Sequence, residues 1–200
     1  MNNVRKQFSG GAVSPLKILH LVTLLWIAGV NAAVADDTHP RATPVTITCQ
    51  QAQRLMIAGT TNAGFRIDAK WTTSQKGNQS CAKLVAGAKV VKNVTSTYKE
   101  WHVVANEKNC QAEADRANSA VKGFEQEHID DAAKVLQDAN AKLSQLKSEF
   151  CADNDANAIK MGNAAINAVS QNAGSSYQAM ANKRDASGHS HNVNCECATH

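Results

Sequence analysis

The chain has 200 residues, with 21 basic and 17 acidic side chains, seven histidines, six cysteines and only three prolines. Its three amino-terminal basic residues, Arg5, Lys6 and Lys17, precede the first acidic residue, Asp36. Without that leader, 18 basic residues face 17 acidic ones, a net charge of +1 that leaves nucleic-acid binding unsupported.

The leader reads as a signal peptide over residues 1–35. Leu16 to Val30 is an apolar run too short for a comfortable membrane span, and Ala33-Val34-Ala35 supplies a small-x-small cleavage pattern. The expectation is an exported protein, periplasmic or secreted, with no stable membrane span after cleavage. The remaining residues, 36–200, suit one α+β domain: a β-rich part over about 43–105, a helical part over 106–185, and a cysteine-tethered tail over 186–200.

Segments enriched in β-branched and aromatic residues predict strands at Val45 to Cys49, Gly64 to Thr72, Leu84 to Val91 and Val94 to Val104, forming a small antiparallel sheet. Gln50 to Ala58 reads as a short helix with Gly59-Thr60-Thr61-Asn62 as its exit loop. Beyond residue 106, apolar residues at Val121, Phe124, Ala132, Val135, Leu136, Ala139, Leu143, Leu146 and Phe150 follow the three- and four-residue spacing of one long helix over 110–150. His128 falls on that stripe. Asp153-Asn154-Asp155 reads as a turn and cap, and a second helix is expected from Ala156 to Lys183. Two long helices following a small sheet is the expected architecture, and a plain helical hairpin is its bland alternative.

The cysteines, Cys49, Cys81, Cys110, Cys151, Cys195 and Cys197, are even in number, as disulfides in an exported chain require. Cys110 and Cys151 stand at opposite ends of the first predicted helix, roughly 60 Å apart at 1.5 Å per residue, so they do not pair with each other. Cys195 and Cys197 are too close for an unstrained mutual bridge and are expected to reach back to the body of the protein. A thiolate metal site in the tail is the alternative.

The run Phe124-Glu125-Gln126-Glu127-His128 has chemical content. In H-E-x-x-H a helix sets two histidines on one face as zinc ligands, and the glutamate activates the metal-bound water. Glu125 and His128 hold the second and fifth positions of that pattern, while Phe124 replaces the first ligand. His189 and His191 are candidate donors in the tail, and His102 is another at the end of the β region. Glu125-x-x-His128 also matches half of a di-iron carboxylate site, but no second such pair occurs. No nucleophile elbow, phosphate loop or dinucleotide fingerprint is present.

The order of these features resembles a bacterial family of secreted proteins described as zinc-dependent proteases and largely uncharacterised. That family's pattern is a Trp and then a Cys in a β region, a helix bearing H-E-x-G-H, a Cys opening a second helix, and a terminal segment similar to Y-D-x-x-T-x-H-G. The matching residues here are Trp71, Cys81, Phe124 to His128, Cys151 and Arg184 to Ser190, spanning about residues 45–191. Glu127 stands where the family has Gly, and Ser190 where it has its final Gly. The resemblance implies a zincin-like framework, zinc as cofactor, His128 and His189 as metal ligands and Glu125 as the catalytic general base. With Phe124 in place of a ligand, it implies a degenerate metallopeptidase-like site without certain catalysis. The alternative is a non-catalytic exported protein that uses its disulfide-stapled helices to bind a protein or peptide partner.

Overall fold

The computed structural model describes residues 36–55, 58–187 and 192–199. The predicted signal peptide therefore lies outside the described residues. The elements are β1 (Arg41–Ile47), α1 (Cys49–Leu55), β2 (Gly59–Asp68), β3 (Trp71–Lys76), β4 (Gln79–Leu84), β5 (Lys89–Val103), α2 (Gln111–Ser144), β6 (Glu149–Ala152) and α3 (Asp155–Ala186). A 3₁₀ turn at Ala105–Cys110 leads into α2, and another closes the tail at Glu196–Thr199. This is a mixed α+β fold with three helices, two of them long. No helix among the described residues is long and apolar enough to cross a membrane.

The strands form two three-stranded sheets, where the sequence predicts one antiparallel sheet. The first has the order β1-β5-β2, with β1 parallel and β2 antiparallel to β5. The second, β3-β4-β6, is antiparallel throughout. Gly59 to Asn62 is the opening of β2 and not a loop. Antiparallel pairing with Tyr98 to Thr95 supplies its backbone with partners, which overrides the local turn preference of Gly and Asn. The expected strand Leu84 to Val91 straddles the turn between β4 and β5, and Gly64 to Thr72 straddles the break between β2 and β3. Gly77, at φ 61°, opens the two-residue turn joining β3 and β4, a backbone conformation that suits glycine.

The predicted helix over 110–150 ends at Ser144, and Phe150 and Cys151 belong to β6. Phe150 keeps the helical spacing by coincidence. Its ring meets Trp71 edge-on at 5.7 Å between centroids, in the second sheet. The predicted cap before α3 is present: the Asn154 side chain accepts a hydrogen bond from the Asn157 amide at 2.9 Å.

Two apolar clusters hold the chain together. One packs Val90 and Val94 of β5 against Ile129, Ala132, Val135 and Leu143 of α2 and the inner face of α3. The other gathers Tyr98, Trp101, Ala52, Ala117, Val121 and the tail residue Val193. Both clusters draw on β5 and α2, and α2 spans about 51 Å at 1.5 Å per residue. The sulfur bridges are Cys49–Cys195, Cys81–Cys151 and Cys110–Cys197. As the sequence suggests, Cys110 and Cys151 do not pair, and both tail cysteines reach back to the body.

Gly162 of α3 sits against Trp71, whose Nε1–H donates to Asn163 Oδ1 at 2.9 Å. A β-carbon at 162 would lie 2.5 Å from the indole, which Asn163 and Phe150 hold in place. Gly162→Ala therefore trades a helix-propensity gain of about 1 kcal/mol for overpacking of about 1–3 kcal/mol. Thermal unfolding should show a lower melting temperature, and a variant more stable than the wild type would contradict this packing.

Candidate functional site

On α2 the buried row runs Ala114, Ala117, Val121, Glu125, His128, Ala132, Val135 and Ala139. Steps of three and four carry it through two polar residues without interruption. Phe124 is displaced to the side of this row and is only half-buried, whereas the sequence pattern puts it on the core stripe. Glu125 and His128 are 3 % and 5 % exposed.

Around them lies a cavity of about 360 Å³, walled by Gly59 to Ala63 of β2, by Phe124, Glu125 and His128 of α2, and by Tyr177, Gln178, Ala181 and Asp185 of α3. Two inward-facing hydroxyls support Glu125 from the first sheet. Thr61 Oγ1 donates to Glu125 Oε2 at 2.6 Å and lies 2.6 Å from Ser96 Oγ. Gly59 gives the carboxylate room, since a β-carbon there would stand 2.4 Å from Glu125 Cγ. His128 Nε2 lies 3.2 Å from Asp185 Oδ1, and its Nδ1 is buried with no hydrogen-bond partner. The Phe124 ring stands edge-on to the imidazole, with centroids 4.8 Å apart. Three residues beyond His128 on α2, Arg184 grips Asp131 Oδ2 through Nε at 2.9 Å and its terminal nitrogen at 2.7 Å, and also contacts Glu127. That clamp fixes the end of α3, and hence Asp185, over α2.

Burial pushes the Glu125 carboxyl above its ordinary value, against the lowering effects of the Thr61 hydroxyl and the nearby His128, and Asp185 raises it further. The Tyr177 hydroxyl is pushed up to about 12, chiefly by burial and then by the charges of Glu125, Asp131 and Asp185. A weakly acidic phenol and a carboxyl of raised pKa thus face the same cavity.

Over residues 45–182 the chain matches the model of a bacterial protein family of unknown function, DUF922. The chain belongs to the DUF922 family. No curated protein and no solved structure matches it. The match runs from the end of β1 through most of α3 and includes Glu125 and His128.

In this DUF922 protein, Glu125 and His128 converge on one cavity. His189 and His191, the tail candidates, lie outside the described residues. His102 is exposed on β5, 3.2 Å from Glu100 Oε2, and is not part of the cavity wall. Asp185, Tyr177, Thr61 and Ser96 are the site residues that sequence reading missed. Asp185 stood inside the terminal motif without a role, and the alternation Val94, Ser96, Tyr98 was the one signal that Ser96 faces inward.

A structural or catalytic zinc ion takes three or four protein donors. The described residues gather no three His, Cys, Asp or Glu donors around His128, so they do not by themselves fit a zinc site.

The raised pKa of Glu125 has a consequence for stability. The folded chain holds this proton more tightly than the unfolded one, so the contribution is complete below about pH 4.5 and is lost as pH rises through the raised value. Glu125→Gln keeps an acceptor for Thr61 and carries no charge. Its melting temperature should exceed that of the wild type at neutral pH, with the gap closing below pH 4.5. A pH-independent difference would show that the carboxylate is not desolvated.

Proposed function

We propose that this DUF922 protein is an exported, non-catalytic binding protein built on a metallopeptidase-like frame whose zinc site has degenerated. The reading rests on the pairing of Phe124 with His128. A benzyl ring with no lone pair stands where the first imidazole of a zinc-peptidase helix belongs, and the remaining imidazole faces Asp185. Glu125, the residue such a helix uses as general base, is bonded to Thr61, and burial raises its pKa above the ordinary carboxyl value.

What the cavity offers instead is recognition of a cation. Its described wall carries two carboxylates, one imidazole and two aromatic rings, and neither lysine nor arginine. Aromatic faces attract ammonium groups, and a carboxylate pairs with them through charge-assisted hydrogen bonds. The ligand class is an amine presented by a peptide or protein partner, either a lysine side chain or a free amino terminus. Export is supported by the disulfide bonding of all six cysteines.

One observation favours a second reading, a working zinc site. The 3.2 Å between His128 Nε2 and Asp185 Oδ1 is close to the roughly 3.3 Å that separates two donors on one tetrahedral zinc. A third donor is then required, and the family resemblance offers His189.

Metal analysis of the mature protein after zinc supplementation and desalting separates the two. The wild type should retain no stoichiometric zinc at this site, and Phe124→His should acquire about one equivalent. Stoichiometric zinc in the wild type, lost in both His128→Ala and His189→Ala, would establish the second reading. Binding of a lysine-bearing peptide, followed by calorimetry, should weaken by about tenfold or more in Asp185→Asn, as expected for a charged hydrogen bond worth about 1.5–3 kcal/mol. No peptide binding at any accessible concentration would remove the amine-recognition role.

A further inference from the structure

The sulfur atoms of Cys49, Cys110 and Cys197 all lie within 4.8 Å of one another. Cys195 is bonded to Cys49 and so stands next to this group of three, and none of the four cysteines lines the cavity. Three separate segments deliver them: the start of α1, the 3₁₀ turn entering α2, and the tail. We propose that these four residues, as thiols, form a four-thiolate site for zinc, so that the chain has a metal-stapled state alternative to its disulfide-stapled one.

Four thiolates around zinc at about 2.3 Å stand about 3.8 Å apart; the Cys49, Cys110 and Cys197 sulfurs are already within 4.8 Å of one another, and Cys195 is one bond from Cys49. The surroundings are arranged for it as well. Cys49 and Cys110 are fully buried, beside Trp101 and Ala114 in the second apolar cluster, and Cys195 and Cys197 are partly buried against it. Contacts besides the sulfur bonds also hold the tail. The Asn194 amide donates to Glu113 Oε1 at 2.6 Å, Arg116 donates to the Asn192 carbonyl at 2.6 Å, and Gln53 donates to the Val193 carbonyl at 3.2 Å. Val193 itself is 3 % exposed. The Asn194 carbonyl oxygen lies 3.7 Å from Cys49 Sγ and 3.6 Å from Cys197 Sγ, so one tail peptide sits between sulfurs from both bridges.

The chemistry balances without a redox partner when the cysteines of a newly made chain have not been oxidised. Four thiols bind one zinc ion and release four protons, leaving a complex of charge −2. Oxidation by a disulfide-bearing oxidant then removes four electrons from the four thiolates, forms the two bridges and ejects the ion. The third bridge cannot do the same. Among the described residues, Glu149 is the one further donor grouped with Cys81 and Cys151, and it is paired with Lys76 at 2.5 Å.

The test uses the full chain carrying Cys81→Ser and Cys151→Ser, reduced, desalted without oxygen and titrated with cobalt(II). One equivalent should bind with the sulfur-to-cobalt charge-transfer absorption of a tetrahedral thiolate site, zinc should displace it, and an added disulfide oxidant should release it. Adding Cys197→Ser should weaken binding by more than about 100-fold, the upper range for losing even an outer partner of a metal site. His128→Ala should leave it unchanged, which keeps this outcome separate from that of the cavity. If the reduced chain is unfolded without metal, zinc should restore its helical circular dichroism. Failure of the reduced chain to take up cobalt, uptake indifferent to Cys197→Ser, or a reduced chain that stays unfolded in excess zinc would each overturn the proposal.

Discussion

The structure depends on a compromise inside α2, whose buried row must serve two apolar clusters and yet carries a carboxyl and an imidazole between them. A helix of 34 residues cannot turn its face away for one turn and return, because its side-chain directions are set by a fixed period. Glu125 and His128 are therefore buried by geometry, and every neighbouring element answers to that. Strand β2 brings Thr61 and leaves Gly59 without a side chain, β5 brings Ser96, and α3 brings Tyr177 and Asp185. Burial of polar groups is tolerable only when partners are supplied, and here most are. Among the described residues the exception is Nδ1 of His128, a residue of the cavity wall.

The sulfur bridges complement rather than duplicate this packing. Cys81–Cys151 joins β4 to β6 where the helices leave a short sheet on their flank, and the tail bridges fasten the last described residues against α1 and the entrance to α2. Because the tail bridges close loops of 146 and 87 residues, they restrict the unfolded chain over most of its length. The apolar cluster they border is rich in alanine and cysteine, small side chains that bury little area each, so covalent closure carries a larger share of its stability than in the cluster of Ile129, Val135 and Leu143.

Local signals in the sequence were reliable where a local rule governs. The spacing of Ala132, Val135, Ala139 and Leu143 reports a helix face, Asn154 reports a cap, and Glu125 and His128 must share a side of any helix that holds both. The rule failed where pairing with a distant segment decides the outcome. Phe150 fits the helical period but is claimed by β4 and Trp71, and Gly59 to Asn62 looks like a loop until β5 is laid beside it. The parallel pairing of β1 with β5 joins residues more than fifty positions apart, and no short pattern in Arg41 to Ile47 announces it. The same limit applies at the site. Thr61 lies 64 residues from Glu125, and Asp185 lies 57 from His128, so their convergence is a property of topology. Which cysteine meets which is equally invisible to spacing, although the exclusion of Cys110 with Cys151 followed from helix length alone.

The division of the interior into two clusters sharing one strand and one helix makes the molecule separable along its polar seam. Apolar contact is continuous within each cluster, while at the seam the buried row of α2 is polar and is held by hydrogen bonds such as that of Thr61 with Glu125. Cooperative opening follows contiguous packing, so this seam is where the two clusters are expected to part most readily. A ligand in the cavity would touch Tyr177 and Ala181 of the first cluster together with Glu125 and His128 of the seam, so that occupancy is converted into rigidity of that boundary.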